Sequence, residues 1–242
     1  MRLRGGRSNE RCDKFVGLEC QDLRQGWALM RGPVGENPAE GSRIVLLSAS
    51  AERKRILAEL GYDCVVPDNL IDAEKDEDPI CCGRLDDASV RVLDAKYEAY
   101  AAAGRFDVAG RYLIADTMIS CVSGKQELIL GKCRNRFQAD MFLDLYSKAD
   151  RVIIRSSAYL IDVDCDAQNC QAGLKRRFFT DDACIFLTDS NGGNMITERF
   201  RMEYLSRNVF LGRAGAIECD AFSDFGFRIV GNRQTIRGLC PF

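Results

Sequence analysis

The sequence contains no histidine, and this absence excludes more chemistry than any other feature of its composition. Without imidazole there is no Ser-His-Asp or Cys-His catalytic arrangement, no His-ligated zinc or haem, and no imidazole proton shuttle. General acid–base chemistry is therefore left to Asp, Glu, Lys, Tyr or Cys.

Long apolar runs and zinc-type cysteine spacings are also missing. No apolar run follows the first residues and none is long enough to cross a bilayer, so we expect no secretory signal, no membrane partner and a cytoplasmic location. The 12 cysteines include no C-x-x-C pair, which argues against a zinc knuckle or ribbon. Their even number permits disulfides, but scattered reduced thiols are the interpretation we favour for a cytoplasmic protein.

The composition is that of an ordinary globular protein. The chain has 242 residues, 46% of them apolar and 29% charged, which predicts one domain or two with a sizeable core. Its 34 basic and 36 acidic side chains give a net charge of −2, so no whole-protein electrostatic attraction to nucleic acid is expected.

The order of apolar runs and turn residues predicts a mixed α/β fold for residues 43–242. Residues 1–42 show no clear periodicity, end in a Gly- and Pro-containing loop, and are predicted to be a disordered or non-core extension. A strand–helix–strand unit follows, with strands at 43–47 and 62–66 and a helix between them that buries Ile56, Leu57 and Leu60.

Further elements alternate along the rest of the chain without any repeat. The pattern predicts a helix at 88–103, a strand that ends at residue 115, a hairpin over 118–130, and a helix after Lys132 with Phe137, Met141, Phe142 and Leu145 on one face. Later residues predict strands at 151–164, 183–188, 216–222 and 227–230 and a helix at 197–206, with 169–182 ambiguous.

The turn after the first strand is a candidate anion site. Ser48 and Ser50 precede a helix whose unpaired backbone N–H groups lie at the positive end of the helix dipole. Arg53 adds a planar donor group suited to phosphate oxygens. The simpler alternative is that Ser50 only caps the helix and that the basic residues face solvent.

Acidic and basic residues elsewhere could complete a phosphoryl-transfer site. Asp116 follows an apolar strand, where ligands of open α/β sheets gather, although a turn or capping role is equally open. Together with Glu74 it offers two carboxylates for a hard cation, while Lys96 and Lys132 join Arg53 as cations for a polyphosphate. This combination suits magnesium-dependent phosphoryl hydrolysis.

Several segments in the same order resemble the Maf family of nucleoside triphosphate pyrophosphatases. Residues 44–57, which read IVLLSASAERKRIL, are similar to its opening motif, residues 113–117 (LIADT) to its central A-D-T motif, and residues 130–132 (LGK) to its L-G-K-P. Lys96 matches a helical lysine of the family, and Glu74 matches the glutamate of its D-x-D-E. Residues 213–216 (RAGA) resemble a late K-A-G-A/G-Y segment, so the likeness extends over about residues 43–231.

The resemblance implies a fold and a reaction. The fold would be a Maf-like elongated mixed sheet flanked by helices, related to inosine triphosphate pyrophosphatases, with a nucleotide cleft. The reaction would be divalent-metal-dependent hydrolysis of a nucleoside triphosphate to the monophosphate and pyrophosphate. Asp116 would be the general base and, with Glu74, would hold Mg²⁺ or Mn²⁺.

The resemblance also assigns the residues that would bind the substrate. Besides Lys96 and Lys132, they are Ser48, Ser50, Arg53 and Thr117. The chain departs from the family pattern at Glu52, where an arginine is usual, and at Asp220, where Gln or Glu is usual. Asp220 could accept hydrogen bonds from a guanine-type base.

Three functional hypotheses remain open on the sequence. The first is a pyrophosphatase that acts on standard or modified nucleoside triphosphates, either alone or as a homodimer. The second is a degenerate relative that binds nucleotide, or a division-related partner, without turnover, as Glu52 and the altered carboxyl-terminal half suggest. The third is redox regulation through Cys133, which follows Lys132.

Overall fold

The computed structural model describes residues 43–71, 80–166 and 169–242 of the chain. The extension predicted at residues 1–42 lies outside the described residues, and so does Glu74. Within them the predicted mixed α/β architecture is confirmed, as a mixed sheet of eight strands with six helices. None of these helices combines the length and hydropathy needed to cross a membrane.

One long antiparallel sheet with a short parallel edge forms the framework. Its main order is β2-β1-β4-β6-β7-β8, and β3 and β5 extend it beside β4. The β1–β2 and β1–β4 pairs are parallel and the others are antiparallel. The strands are β1 (Arg43–Leu46), β2 (Asp63–Val65), β3 (Ile80–Cys82), β4 (Gly110–Ser123), β5 (Gln126–Leu130), β6 (Arg151–Asp166), β7 (Asn169–Phe186) and β8 (Arg228–Val230).

The central strand β4 has two partners along one of its edges, and a gap separates them. Strand β1 pairs with it only as far as Leu113, whereas β5 begins to pair at Ile119. Along the opposite edge β6 pairs continuously from Gly110 to Val122. The expectation that the strand ends at residue 115 was therefore wrong, because the chain stays extended through Ser123 and pairs with β6 as far as Val122. The hairpin predicted over 118–130 is confirmed as β4 and β5, which pair from Ile119 to Ser123 of β4. The gap on the first edge contains Asp116.

The predicted strand–helix–strand unit is confirmed at the start of the described chain. Helix α1 (Ala51–Glu59) connects the parallel strands β1 and β2, and it buries Ile56 and Leu57. Leu60, predicted on the same face, is exposed because it lies at the carboxyl-terminal cap, where the chain leaves the helix through Gly61. The next helix, α2 (Leu85–Ala102), begins three residues earlier than predicted.

Helix α3 (Arg136–Tyr146) presents a different face to the core from the one predicted. The buried residues are Ala139, Phe142, Leu143 and Tyr146, a helical i, i+3, i+4, i+7 pattern, whereas Phe137 is 78% exposed. Packing of this face against the sheet determines which residues are buried. Asn135 caps the helix, and its side chain accepts a hydrogen bond from the backbone N–H of Gln138 at 2.9 Å.

The carboxyl-terminal third contains one strand fewer than predicted. The ambiguous residues 169–182 and the strand at 183–188 form β7 almost entirely, and the predicted helix at 197–206 is α4 (Glu198–Arg207). Residues 216–222, predicted as a strand, instead lead into helix α5 (Cys219–Asp224). Glu218 caps that helix by accepting a 2.7 Å hydrogen bond from Ala221.

An aromatic cluster fixes these carboxyl-terminal helices against the sheet. Phe200 of α4 lies 5.3 Å from Phe222 of α5 and 5.0 Å from Phe227, measured between ring centroids. Together with the buried face of α3 these rings form the largest hydrophobic core of the described residues. They therefore determine where the loop before α5 lies relative to β4.

Gly231 lets the chain turn from β8 into the last helix, α6 (Arg233–Ile236). Its φ is +137°, and a Cβ placed on it would lie 2.5 Å from the Cβ of Ala183. We expect Gly231→Ala to lower the free energy of unfolding by about 3 kcal/mol, because it adds both backbone strain and overpacking.

The matched control is Gly226→Ala, where φ is also positive, at +81°, but nothing lies within 4 Å of the added Cβ. It should cost about 1 kcal/mol, from strain alone. Urea unfolding of both variants measures the difference. Equal losses would show that the contact with Ala183 does not restrict this position.

Candidate active site

The gap in the edge of β4 opens into a cleft of about 590 Å³. Its walls come from the β1–α1 turn, from the segment after β2, from α2 and from strands β4 and β6. Lys132 after β5, the loop before α5 and the turn after α6 complete them. The cleft lies where β1 and β5 leave β4 from opposite ends of the gap. The predicted site residues that line it are Ser48, Ser50, Arg53, Lys96, Asp116, Thr117 and Lys132.

The β1–α1 turn brings the amino terminus of α1 to the cleft. Ser50 is the N-cap residue, and its Oγ accepts a hydrogen bond from the backbone N–H of Arg53 at 3.3 Å. Ser48 supports the turn, since its Oγ accepts one from the backbone N–H of Ser50 at 3.3 Å. The predicted capping role of Ser50 is confirmed, and the positive end of the helix dipole lies at the cleft wall.

Arg53 is buried and cross-links three parts of the fold. Its guanidinium donates to the Oγ of Ser48 at 2.8 Å, to the carbonyl of Ala115 at 2.9 Å, to the Oγ1 of Thr117 at 3.0 Å and to the carbonyl of Gly238 at 2.8 Å. The first acceptor belongs to the β1–α1 turn, the next two to β4, and the last to the segment after α6. The side chain therefore holds the cleft wall together, a role that the sequence did not indicate.

Asp116 and Lys96 form a buried ion pair at the cleft floor. The Nζ of Lys96 donates to Oδ1 of Asp116 at 2.6 Å, and the two side chains are 10% and 12% exposed. Alternation along β4 turns Asp116 towards α2, which carries Lys96, and turns Thr117 to the opposite face, towards α1. Because Lys96 occupies Oδ1, Oδ2 is the carboxylate oxygen available to a water molecule or a cation.

Lys132 and Arg213 lie on the other side of the cleft. Lys132 forms an isolated β-bridge with Ala214, and the neighbouring Cys133 N–H donates to the carbonyl of Arg213 at 2.9 Å. Tyr146 anchors the same loop from the core, since its hydroxyl donates to the carbonyl of Gly215 at 2.6 Å. The loop before α5 is thereby attached to the end of β5.

Two basic residues that were not among the predicted site residues also line the cleft. Arg213 lies in the RAGA segment, whose order in the sequence could have indicated it. Arg237 lies after α6, in a region without a recognisable motif, and it contacts Glu52 and Glu59 of α1. With these two, five basic and two acidic side chains of the described residues line the cleft.

Part of the cleft wall is apolar and could hold a nucleobase. Ile119 and Ile154 come from the sheet, Ile217 and Cys219 from the loop and start of α5, and Ile236 from α6. Such a wall excludes water and offers an apolar surface to a base. The thiol of Cys219 is the one side-chain hydrogen-bonding group among these five residues.

Asp220, expected to contact the base, does not join the other predicted residues. It is exposed in the first turn of α5 and is not among the residues that line the cleft, because the cap at Glu218 starts the helix so that Cys219 faces inward instead. Base selection by Asp220 therefore has no geometric support.

The described thiols range from exposed to buried, and the one considered for redox control is buried. Cys64, Cys82, Cys121, Cys133, Cys219 and Cys240 are free thiols. Cys133, which we considered as a regulatory thiol, is fully buried, and burial raises its pKa. Since the thiolate is the reactive form, Cys133 is poorly suited to react with an alkylating reagent.

We expect substitutions of Lys96 and Asp116 to have strongly non-additive effects on the free energy of unfolding. Lys96→Met would leave a desolvated carboxylate and should lower the free energy of unfolding by about 3 kcal/mol. Adding Asp116→Asn should recover more than half of that loss, because the buried charge is then gone as well. Urea unfolding of the two single variants and the double variant measures the coupling, and additive losses would contradict it.

Comparison with known families places the chain. The family model described as Maf-like protein matches residues 43–241, which is most of the chain and includes every described element. A comparison with curated proteins found no match. The matched range contains the cleft and all the residues that line it. The chain therefore belongs to the Maf-like protein family.

Proposed function

We propose that this protein hydrolyses nucleoside triphosphates to nucleoside monophosphates and pyrophosphate. The observation that carries the proposal is the opening of the buried Asp116–Lys96 pair into the same cleft as the amino terminus of α1. The Maf-like family includes nucleotide pyrophosphatases, which supports a hydrolase of this type at the level of the family. The substrate and the roles of individual residues are those that the family resemblance implies for the residues of this cleft.

The basic lining of the cleft suits a triphosphate. The N-terminal turn of α1 supplies backbone N–H groups and a positive dipole, and Lys96 and Lys132 lie on different walls. A bound polyphosphate would place negative charge between these walls, where five basic side chains exceed two acidic ones. Arg53 contributes by fixing the turn and by its positive charge at the base of α1.

The carboxylate of Asp116 is placed to activate water. Oδ1 is fixed by Lys96, so Oδ2 accepts the proton as a water oxygen attacks the α-phosphorus. The bond from the α-phosphorus to the bridging oxygen then breaks, and pyrophosphate leaves with the electron pair. Lys96 and Lys132 offset the negative charge that accumulates on the leaving group.

The donor set of the cleft fits a hard divalent cation that also binds the substrate. Mg²⁺ is commonly held by one or two carboxylates together with phosphate oxygens and waters. Among the residues that the structure describes, no three or more His, Cys, Asp or Glu side chains are grouped so that they could hold a metal ion, so the phosphates would supply ligands. Asp116 would hold the ion, with Glu74 as the expected second carboxylate, and the bound ion would supply Lewis-acid neutralisation of the phosphates.

Nucleotide binding without turnover is the second candidate, and one observation favours it. Glu52 lies in the first turn of α1 and lines the cleft, so it adds a negative charge where a phosphate would bind. A protein of this kind would bind a triphosphate and gain thermal stability, but it would release no pyrophosphate.

Asp116→Asn should reduce pyrophosphate release by at least about a thousandfold, because an amide cannot accept the proton of the attacking water. The assay uses a panel of standard and modified nucleoside triphosphates with Mg²⁺ or Mn²⁺, and it also identifies the preferred base. Asp140→Asn is the matched control, since Asp140 is a partly exposed aspartate of α3 that pairs with Arg201 outside the cleft. It should retain normal turnover.

Two results would change the proposed function or the role of Asp116 in it. Release by the wild-type protein that survives in Asp116→Asn would remove Asp116 from the role of base. No release from any nucleotide by folded wild-type protein, together with a thermal shift on nucleotide addition, would favour binding without turnover.

A further inference from the structure

Two adjacent residues of α1 hold the segment that follows α6. Arg53 donates to the carbonyl of Gly238, and Glu52 accepts a hydrogen bond from the Nε of Arg237. These contacts join positions 185 residues apart in the sequence. Glu52, Arg53, Arg237 and Gly238 all line the cleft, so this junction is part of its wall.

Two carboxylates of α1 hold the guanidinium of Arg237. Its Nη1 and Nη2 donate to the two carboxylate oxygens of Glu59 at 2.6 and 3.0 Å, and its Nε donates to Glu52. These bonds use one N–H on each of the three nitrogens. A guanidinium has five N–H donors, so one N–H on each of Nη1 and Nη2 is not used by these bonds and can donate to a ligand oxygen.

Glu52 and Arg237 carry opposite charges, and their pairing affects how the cleft wall would receive an anionic ligand. Partial burial acts to raise the pKa of Glu52, but hydrogen bonds and charge interactions with Arg55 and Arg237 outweigh it and hold that pKa below its usual value. Glu52 is therefore ionised at neutral pH and would repel a phosphate. Arg237 lies against it and offsets that charge at the cleft wall.

The other carboxylate that lines the cleft, Asp116, is also paired with a basic residue, Lys96. In both pairs a cation contributed by a different element contacts the acid within the cleft. The pairing leaves the basic residues in excess across the lining.

We propose that Arg237 is an anion-binding residue of the cleft and that Glu52 is its positioning residue. Glu52 holds the guanidinium beside the amino terminus of α1, where it donates to the phosphate oxygens of a bound polyphosphate. The proposal rests on the polyphosphate site of the proposed function, and it requires binding but no turnover.

The outer carboxylate, Glu59, does not line the cleft, and its side chain is 51% exposed. Arg237 could therefore exchange its bonds to Glu59 for bonds to a phosphate at low cost, because water would solvate the released carboxylate. Glu59 competes with the ligand for the guanidinium, whereas Glu52 keeps the guanidinium at the cleft.

The test is the affinity of the full-length protein for inorganic tripolyphosphate, measured by calorimetry at several salt concentrations. Arg237→Gln should weaken binding by about tenfold and reduce its salt dependence, because one charged donor group is lost. Arg237→Lys should keep most of the salt dependence while losing part of the affinity, since the charge remains but the planar donor group does not.

Glu59→Gln separates binding from a purely structural role. It removes the charge of the outer carboxylate but leaves Arg237 and Glu52 in place, so tripolyphosphate affinity should stay the same or rise by up to about threefold. If Arg237 served only to anchor the carboxyl-terminal segment, Glu59→Gln and Arg237→Gln would weaken binding together and in proportion to their losses in melting temperature. That result, or unchanged affinity in folded Arg237→Gln, would overturn the proposal.

The same variants distinguish failure of this proposal from failure of the proposed function. Wild-type protein that binds tripolyphosphate through Arg237 but releases no pyrophosphate from any nucleotide would remove the hydrolase and leave the anion site. Turnover that is unchanged in Arg237→Gln, with unchanged tripolyphosphate affinity, would keep the hydrolase and remove Arg237 from its site. No detectable tripolyphosphate binding by the wild-type protein would overturn the role of Arg237 directly.

Discussion

The buried guanidinium of Arg53 is the interaction on which the cleft depends. It connects the β1–α1 turn, the stretch of β4 beside the gap and the segment after α6 through hydrogen bonds to uncharged oxygens. The carbonyl of Ala115 lies beyond the last β4 residue that pairs with β1, so Arg53 supplies a hydrogen bond there that a neighbouring strand would otherwise make. The gap in the sheet can thus persist without leaving that carbonyl unsatisfied.

The gap explains why an ionisable residue, Asp116, can lie in the middle of the long strand β4. Buried charge is costly unless it is paired, and the pair formed by Lys96 and Asp116 is nearly closed off from solvent. Replacing such a pair with apolar residues is often neutral or stabilising, so a stabilising role gives little reason to retain it. Its opening into the cleft gives a chemical reason instead, because a fixed carboxylate with one oxygen available can act on a ligand.

Local features were predictable from the sequence, and features set by distant contacts were not. The first strand–helix–strand unit, the hairpin over 118–130 and the long strand β6 depend on neighbouring residues, and their patterns indicated them. The continuity of β4 between residue 115 and that hairpin depends on pairing with β6, which begins 28 residues after Ser123. The exposure of Phe137 likewise follows from how α3 packs against the sheet, which periodicity alone did not determine.

The candidate site also has some features that the sequence indicates and others that depend on distant contacts. Glu52 is an example of the second kind. In the sequence alone, an acidic residue in the first turn of α1 interacts favourably with the helix dipole but repels a phosphate bound at the same terminus. That conflict led to the hypothesis of a degenerate protein. In the fold the carboxylate meets Arg237, which lies 185 residues away in the chain and belongs to no motif. The local cost of the acid is therefore offset by a cation that only the tertiary structure brings to the cleft, so its presence in α1 is not by itself an argument against an anion site.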